Sequence, residues 1–248
     1  MYFGSRAIIL KTSDLRETDK LVTIFSEQEG KLTAVARGIK KPNSSLRACV
    51  QPFCHSQLYF SRGRELDLIT QGRLLDFYGN AREDLNRTLY CMYIMELLDK
   101  SLMDRVPLPR LYKAVLETLQ TINQAEINPL VIRHFEMTLL IYLGYKPVLN
   151  QCVSCQRSDV QLNRFNLAEG GMICPFCSQN NHDEINISGE ALALLKRLGN
   201  VPINTLDRIR ASNTALNQME IFLEKNLEYH LERKFNLKYT IKRLKPSG

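Results

Sequence analysis

The sequence predicts an α+β protein: a β module of about 80 residues, then a helical domain interrupted by a small metal knuckle. Three observations carry this. Apolar residues recur with period two through residues 5–78, the period lengthens to about 3.6 from Ala81, and two Cys-x-x-Cys pairs punctuate a stretch with neither period. The chain has 248 residues. At roughly 150 residues per domain this allows one large domain or two to three small ones. The predicted boundaries are 1–80 for the β domain and 81–248 for the helical domain, with the knuckle at 150–182.

Five short runs with β-branched and aromatic content read as strands: Ala7–Leu10, Leu21–Phe25, Leu32–Arg37, Ser56–Phe60 and Leu66–Thr70. Their spacing suits a small barrel or sandwich. In the third run Leu32, Ala34 and Ala36 face one side, which turns Lys31 and Arg37 outwards. Ser61-Arg62-Gly63-Arg64 reads as a hairpin tip in which Gly63 supplies positive φ.

From Ala81, the spacing of Leu85, Leu89, Met92 and Glu96 beside Tyr93, Leu97 and Leu98 predicts a broadly buried helix. Pro107 and Pro109 open a second, running through Lys113 to Ile122. Asn128-Pro129 caps a third that Gly144 ends. Ser188 caps a helix stopping before Gly199, and Ser212 one with Met219, Leu223, Leu227 and Leu231 on a single stripe.

Composition narrows the function. Apolar residues are 44% and charged residues 24% of the chain, within the globular range, so a disordered, collagen-like or coiled-coil chain is excluded. No run approaches the eighteen or so apolar residues that span a bilayer; the richest, Tyr90–Leu98, is broken by Glu96. The N-terminus lacks the pattern of a secretory signal, which predicts a cytosolic, reducing setting and no membrane partner. Net charge is +7, with 12 basic against 8 acidic residues in the first 80, and no acid follows Glu232. A polyanion is the expected partner.

The sharpest motif is Cys152-Val153-Ser154-Cys155, eighteen residues, then Cys174-Pro175-Phe176-Cys177. Each turn offers two thiolates, and two turns complete the tetrahedral shell that zinc accepts. Four sulfur ligands leave no position for water or substrate, so the predicted Zn2+ is a single structural ion. His182 is read as a surface residue, and Cys49, Cys54 and Cys91 as buried apolar side chains. Cys54 and His55 are adjacent in a strand, where neighbours point to opposite faces, so they cannot act as nucleophile and base.

A second candidate is Arg37 to Arg47, a Gly/Pro-marked loop with Arg37, Lys40, Lys41 and Arg47 among hydroxyl and amide donors. Such a loop can track phosphates, while Phe53, Tyr59 and Phe60 could offer faces to bases. Phe60 reads as core and Tyr59 as exposed. Asp14, Glu17 and Asp19 could in principle bind a hard cation, but a solvated loop is the better reading. No phosphate-loop, H-E-x-x-H or G-x-S-x-G motif occurs, and no enzyme is predicted.

Thr18 to Phe25, Gly30 to Gly38, Leu46-Arg47 and Gln51-Pro52-Phe53 resemble the N-terminal domain of the RecO family of bacterial recombination mediators. Leu143-Gly144-Tyr145-Lys146-Pro147, followed by the cysteine pairs with Phe165 and Gly170-Gly171 between them, resembles the family's centre. The resemblance implies an N-terminal OB-fold barrel, an all-α C-terminal domain and an inserted zinc finger with four cysteine ligands. It also implies binding of single- and double-stranded DNA, annealing of complementary strands, contacts with RecR and single-stranded DNA-binding protein, and help in loading RecA, in the cytoplasm beside the nucleoid. On this reading Cys152, Cys155, Cys174 and Cys177 hold zinc, and Lys31, Arg37, Lys40, Lys41, Arg47, Arg62 and Arg64 are the DNA-binding candidates. One departure is Gln156, where the family's pattern leads one to expect glycine. The alternative is a zinc-ribbon RNA-binding or transcription-associated adaptor; a magnesium-dependent hydrolase built on Asp14, Glu17 and Asp19 comes third.

Overall fold

A computed structural model describes residues 1–124, 126, 128–179 and 182–244, with the side chains of 242–244 left aside. Five strands, β1 (Tyr2–Asp14), β2 (Lys20–Ser26), β3 (Gly30–Ala36), β4 (His55–Ser61) and β5 (Asp67–Asp76), close into a barrel in the order β1-β2-β3-β5-β4. All neighbours are antiparallel except β3 and β5, which meet in parallel at Ala34 and Val35. Alternation builds the interior: Ala7, Ile9, Val22, Ile24, Leu32, Ala34, Ala36, Leu58, Phe60 and Ile69 form one buried cluster. Closure removes the unpaired edges that a five-stranded open sheet would present.

Helices follow: α1 (Gly79–Glu83), α2 (Leu85–Ser101), α3 (Pro109–Gln124), α4 (Pro129–Tyr142), α5 (Gly189–Leu198), α6 (Asn213–Leu231) and α7 (Asn236–Leu244). The expected caps are in place. Asn128, Ser188 and Ser212 accept the backbone N–H groups of Leu130, Ala191 and Ala215, and Gly144 leaves α4 with φ +88°. On α6, Met219, Leu223 and Leu227 are fully buried. No helix among the described residues is long and apolar enough to cross a membrane.

Two details differ from expectation. The second helix starts at Pro109 and leaves Pro107 in the preceding connection. Gly63 does not have positive φ; a side chain there would run into the Leu66 carbonyl oxygen, so close backbone approach is what requires glycine. The basic segment after Glu232 is in part helical: α7 packs on α2, and Lys238 is buried. The rest of that segment, from Lys245 on, lies outside the described residues.

The chain forms two compact units, Met1–Gln124 with Phe235–Gly248, and Ala125–Lys234. The first thus holds the barrel with α1–α3 and α7. The second holds α4–α6 and a three-stranded sheet of β6 (Arg164–Asn166), β7 (Gly171–Ile173) and β8 (Glu184–Asn186) in the order β7-β6-β8.

Candidate metal centre and nucleic-acid interface

Cys152 and Cys155 lie on a turn closed by Gln156 N–H donating to the Cys152 carbonyl at 2.8 Å, and Cys174 and Cys177 on one closed by Cys177 N–H donating to the Cys174 carbonyl at 3.0 Å. Val153 N–H reaches the Met172 carbonyl, which ties the first turn to β7. The four sulfurs converge within 4.8 Å of one another. Sulfurs at about 2.3 Å from a tetrahedral zinc stand roughly 3.8 Å apart; Cys155 Sγ and Cys174 Sγ are 3.8 Å apart. Cys152 and Cys174 are buried with Ile173, and partly buried Val160 and Leu162 pack against them, which shields the two sulfurs from solvent.

Thiols this close share protons unevenly. Burial pushes Cys152 up, but the backbone N–H groups of Cys155, Cys174 and Ser154 draw it down to about 6, while hydrogen bonds to the Cys174 and Cys155 sulfurs push Cys177 up to about 12. A set of one ready thiolate and closely spaced neighbours fits a thiophilic dication. His182 is exposed and outside the sulfur set. Gln156 has φ +61°, the left-handed conformation for which glycine is the ordinary choice.

On the barrel, the loop from Arg37 to Arg47 is ordered by the residues around it. Ile39 and Leu46 are buried in the barrel core. Asp19 Oδ1 accepts Gly38 N–H at 2.8 Å, Lys40 N–H donates to the Thr18 carbonyl, and Arg47 donates to the carbonyls of Lys40 and Lys41 at 3.0 and 2.9 Å. Lys40 Nζ stands 3.0 Å from Asp14 Oδ2. Beneath it, Lys20, Lys40 and Arg47 border a cavity of about 290 Å³ together with Thr12 and Gln51. The hydrogen bond from Lys40 holds the Asp14 carboxyl below the usual range, and the Gly38 N–H does the same for Asp19.

The candidates therefore separate. Arg37, Lys40, Lys41 and Arg47 are gathered on one loop and exposed. Lys31 is drawn off: its Nζ donates to the Asp99 carbonyl at 2.9 Å and lies 3.3 Å from Asp104. Arg62 bonds Glu29 at 2.9 Å and caps the Phe3 ring, and Arg64 lies exposed in the β4–β5 connection. Asp14 and Asp19 bond the basic loop, and among the described residues the acidic cluster is not a group whose ligand atoms converge on one point. Phe53 and Phe60 are buried and Tyr59 is exposed. Cys54, pushed up to about 11 by burial, is no nucleophile. The cavity residues Thr12, Lys20 and Gln51 escaped the sequence reading. The local signal that could have found Lys20 is its place directly after the acidic run Asp14, Glu17 and Asp19.

Two family models match, "Recombination protein O N terminal" over residues 1–78 and "Recombination protein O C terminal" over 82–238. Among curated relatives, the DNA repair protein RecO of Syntrophomonas wolfei is 58% identical over 247 residues, covering 100% of this chain and 98% of that one. That of Desulforamulus reducens is 33% identical over 98% of this chain and 94% of its own. That of Bacillus subtilis is 33% identical over 79% and 80%.

Proposed function

Because the chain belongs to the RecO family of DNA repair proteins, we propose that it is a non-catalytic recombination mediator. It binds single- and double-stranded DNA, anneals complementary strands and, with RecR, helps load RecA onto DNA coated by single-stranded DNA-binding protein, in the cytoplasm and at the nucleoid. The observation that carries this reading is the ordered basic loop 37–47 on a closed barrel, with Arg37, Lys40 and Lys41 exposed. Cations held on a fixed loop meet phosphates without first losing conformational entropy, and they bind without reading sequence. Arg47 contributes mainly by holding the loop's carbonyls, and Lys31, Arg62 and Arg64 add to the field around the barrel.

Cys152, Cys155, Cys174 and Cys177 would hold one Zn2+, which supplies a structural crosslink and no chemistry. The residues around them do the rest: β6 and β7 present the second turn to the first, and the apolar side chains packed there shield two of the sulfurs from solvent.

The test is annealing of complementary strands coated with cognate single-stranded DNA-binding protein, at two salt concentrations, with a magnesium control for cleavage. Salt-sensitive acceleration without cleavage is expected. No acceleration by folded, zinc-loaded protein would count against the reading and favour the RNA-binding adaptor.

A further inference from the structure

The outer face of the barrel is covered at one end and open at the other. Tyr112 of α3 lies edge-on to Phe25 and His55, at 5.5 and 6.1 Å between ring centroids, and closes the end where Ile8 is buried. Further along the same strands the outward side chains of Arg6, Tyr59, Gln71 and Arg73 are exposed. β4 sits between β1 and β5 there, and two rows cross the three strands: Gly4, Tyr59 and Gln71, then Arg6, Gln57 and Arg73. Neither row contains an acid; Glu27, just past β2, closes on Arg6 at 2.8 Å, while Arg73 is exposed.

Tyr59 is the centre of this surface and is 47% exposed. It lies across Gly4: a methyl group on residue 4 would stand 2.9 Å from Tyr59 Cδ1 and 3.0 Å from Cε1. Glycine therefore gives the ring its seat. Gln57 and Gln71 flank it in the sheet as hydrogen-bond donors, and Arg73 stands on the diagonal, within reach of long side chains. A seated, half-exposed aromatic ring with amides and a cation around it, in a chain of net charge +7, suits an unpaired nucleobase on a phosphate backbone. Duplex DNA, whose bases are already stacked, has no face to offer it.

We propose that Tyr59, seated on Gly4, is a stacking platform for an unpaired base of single-stranded DNA, with Arg73 holding an adjacent phosphate. This rests on the DNA-binding reading above and adds a second contact to it. The basic cavity is bordered by Thr12, eight residues away on β1, or roughly 27 Å of extended strand.

The chain has no tryptophan, so Tyr59→Trp places a single indole on the platform. Its emission is expected to fall when the full-length protein is titrated with oligothymidylate, and to stay level with an abasic oligomer of equal length. Binding is followed separately by the anisotropy of the labelled oligomers. Tyr59→Ala is expected to weaken single-strand binding roughly 5- to 150-fold, the effect of one stacked base, with the salt slope and duplex affinity unchanged. Tyr59→Phe keeps the ring and should bind as the parent does. Circular dichroism and melting verify the fold, and the Phe and Trp variants carry the test if the Ala variant does not fold. Constant indole emission in a saturated complex, or equal weakening of single-strand and duplex binding, overturns the platform and leaves the DNA reading standing. No anisotropy change with the parent protein at low salt overturns both.

Discussion

The Glu96 carboxylate on α2 accepts the backbone N–H of Leu237 at 2.9 Å, and so caps a helix that begins 140 residues further along the chain. Its other oxygen accepts Asn236 N–H at 3.0 Å and Lys100 Nζ at 2.6 Å. Around this cap Phe235 meets the Tyr93 ring edge-on, and the Lys238 ammonium lies 5.8 Å from the centre of the same ring. A carboxylate at a helix N-terminus satisfies donors that would otherwise lack partners and complements the helix dipole. Glu96→Ala is expected to destabilise the docked α7 by about 1–2 kcal/mol. Hydrogen exchange checks it: the α7 amides should lose protection while those of β1–β4 keep theirs.

Gln156 occupies a left-handed conformation between the first cysteine pair and Arg157. Relief of that strain should outweigh the added freedom of glycine in the unfolded chain, so Gln156→Gly is expected to stabilise the finger by about 0.5–1 kcal/mol. Thermal melting with metal present is the measurement, and an unchanged or lower midpoint is the contrary result.

Cys174→Ser removes a buried sulfur that stands 3.8 Å from Cys155 Sγ. Metal content should fall well below one ion per chain and the 125–234 unit should lose stability, since structural zinc binding is coupled to folding by roughly 10 kcal/mol in small peptides. Unaltered stoichiometry and melting would reject the site.

Replacing Lys40 and Lys41 together by alanine should leave the fold intact and make the dependence of log affinity for a single strand on log salt shallower by about 1.4, two phosphates' worth. Lys31→Ala should change that slope less: both lysines have an acid partner, but the Lys31 side chain is 15% exposed, with its ammonium on the Asp99 carbonyl and Asp104, whereas that of Lys40 beside Asp14 is 36% exposed. Equal slopes for the parent and the double variant would mean that the loop does not touch phosphate.

His55 is half-buried against Tyr112, and its Nε2 is without a hydrogen-bond partner among the described residues. Burial, and then the Arg6 cation, hold its pKa below the usual 6.5, against weaker opposite pulls from Asp76 and Glu27. The unfolded chain therefore takes up this proton first as pH falls. The histidine's contribution to stability is complete above pH 6.5 and is lost as pH drops through that value towards the folded pKa. Denaturant midpoints from about pH 7.5 to about 5 should decline less in His55→Gln than in the parent, and an identical decline would discount the residue.

What was legible in the sequence is what acts over a few residues. Leu32, Ala34 and Ala36 turned inwards because alternation is a property of the extended backbone itself. Asn128, Ser188 and Ser212 capped their helices because the side chain and the orphan N–H groups lie within one turn. Cys152 with Cys155, and Cys174 with Cys177, were recognisable because each pair needs only its own tight turn to offer two sulfurs. The family resemblance rested on runs of this local kind, and it supplied the barrel's OB type, which alternation alone left open between barrel and sandwich.

What only the tertiary structure decided is which groups meet across long stretches of chain. Lys31 read as an outward cation and Arg62 as a flank of a hairpin tip; Asp99, 68 residues from Lys31, and Glu29, 33 residues from Arg62, take them up. Arg47 faces its own loop's carbonyls, and α7 returns to Glu96. Gly4 and Tyr59 are 55 residues apart in the chain and in contact through strand register. A charge or a ring carries no record of its partner in the sequence, because the partner is chosen by the register and packing of elements that close only when the whole chain folds.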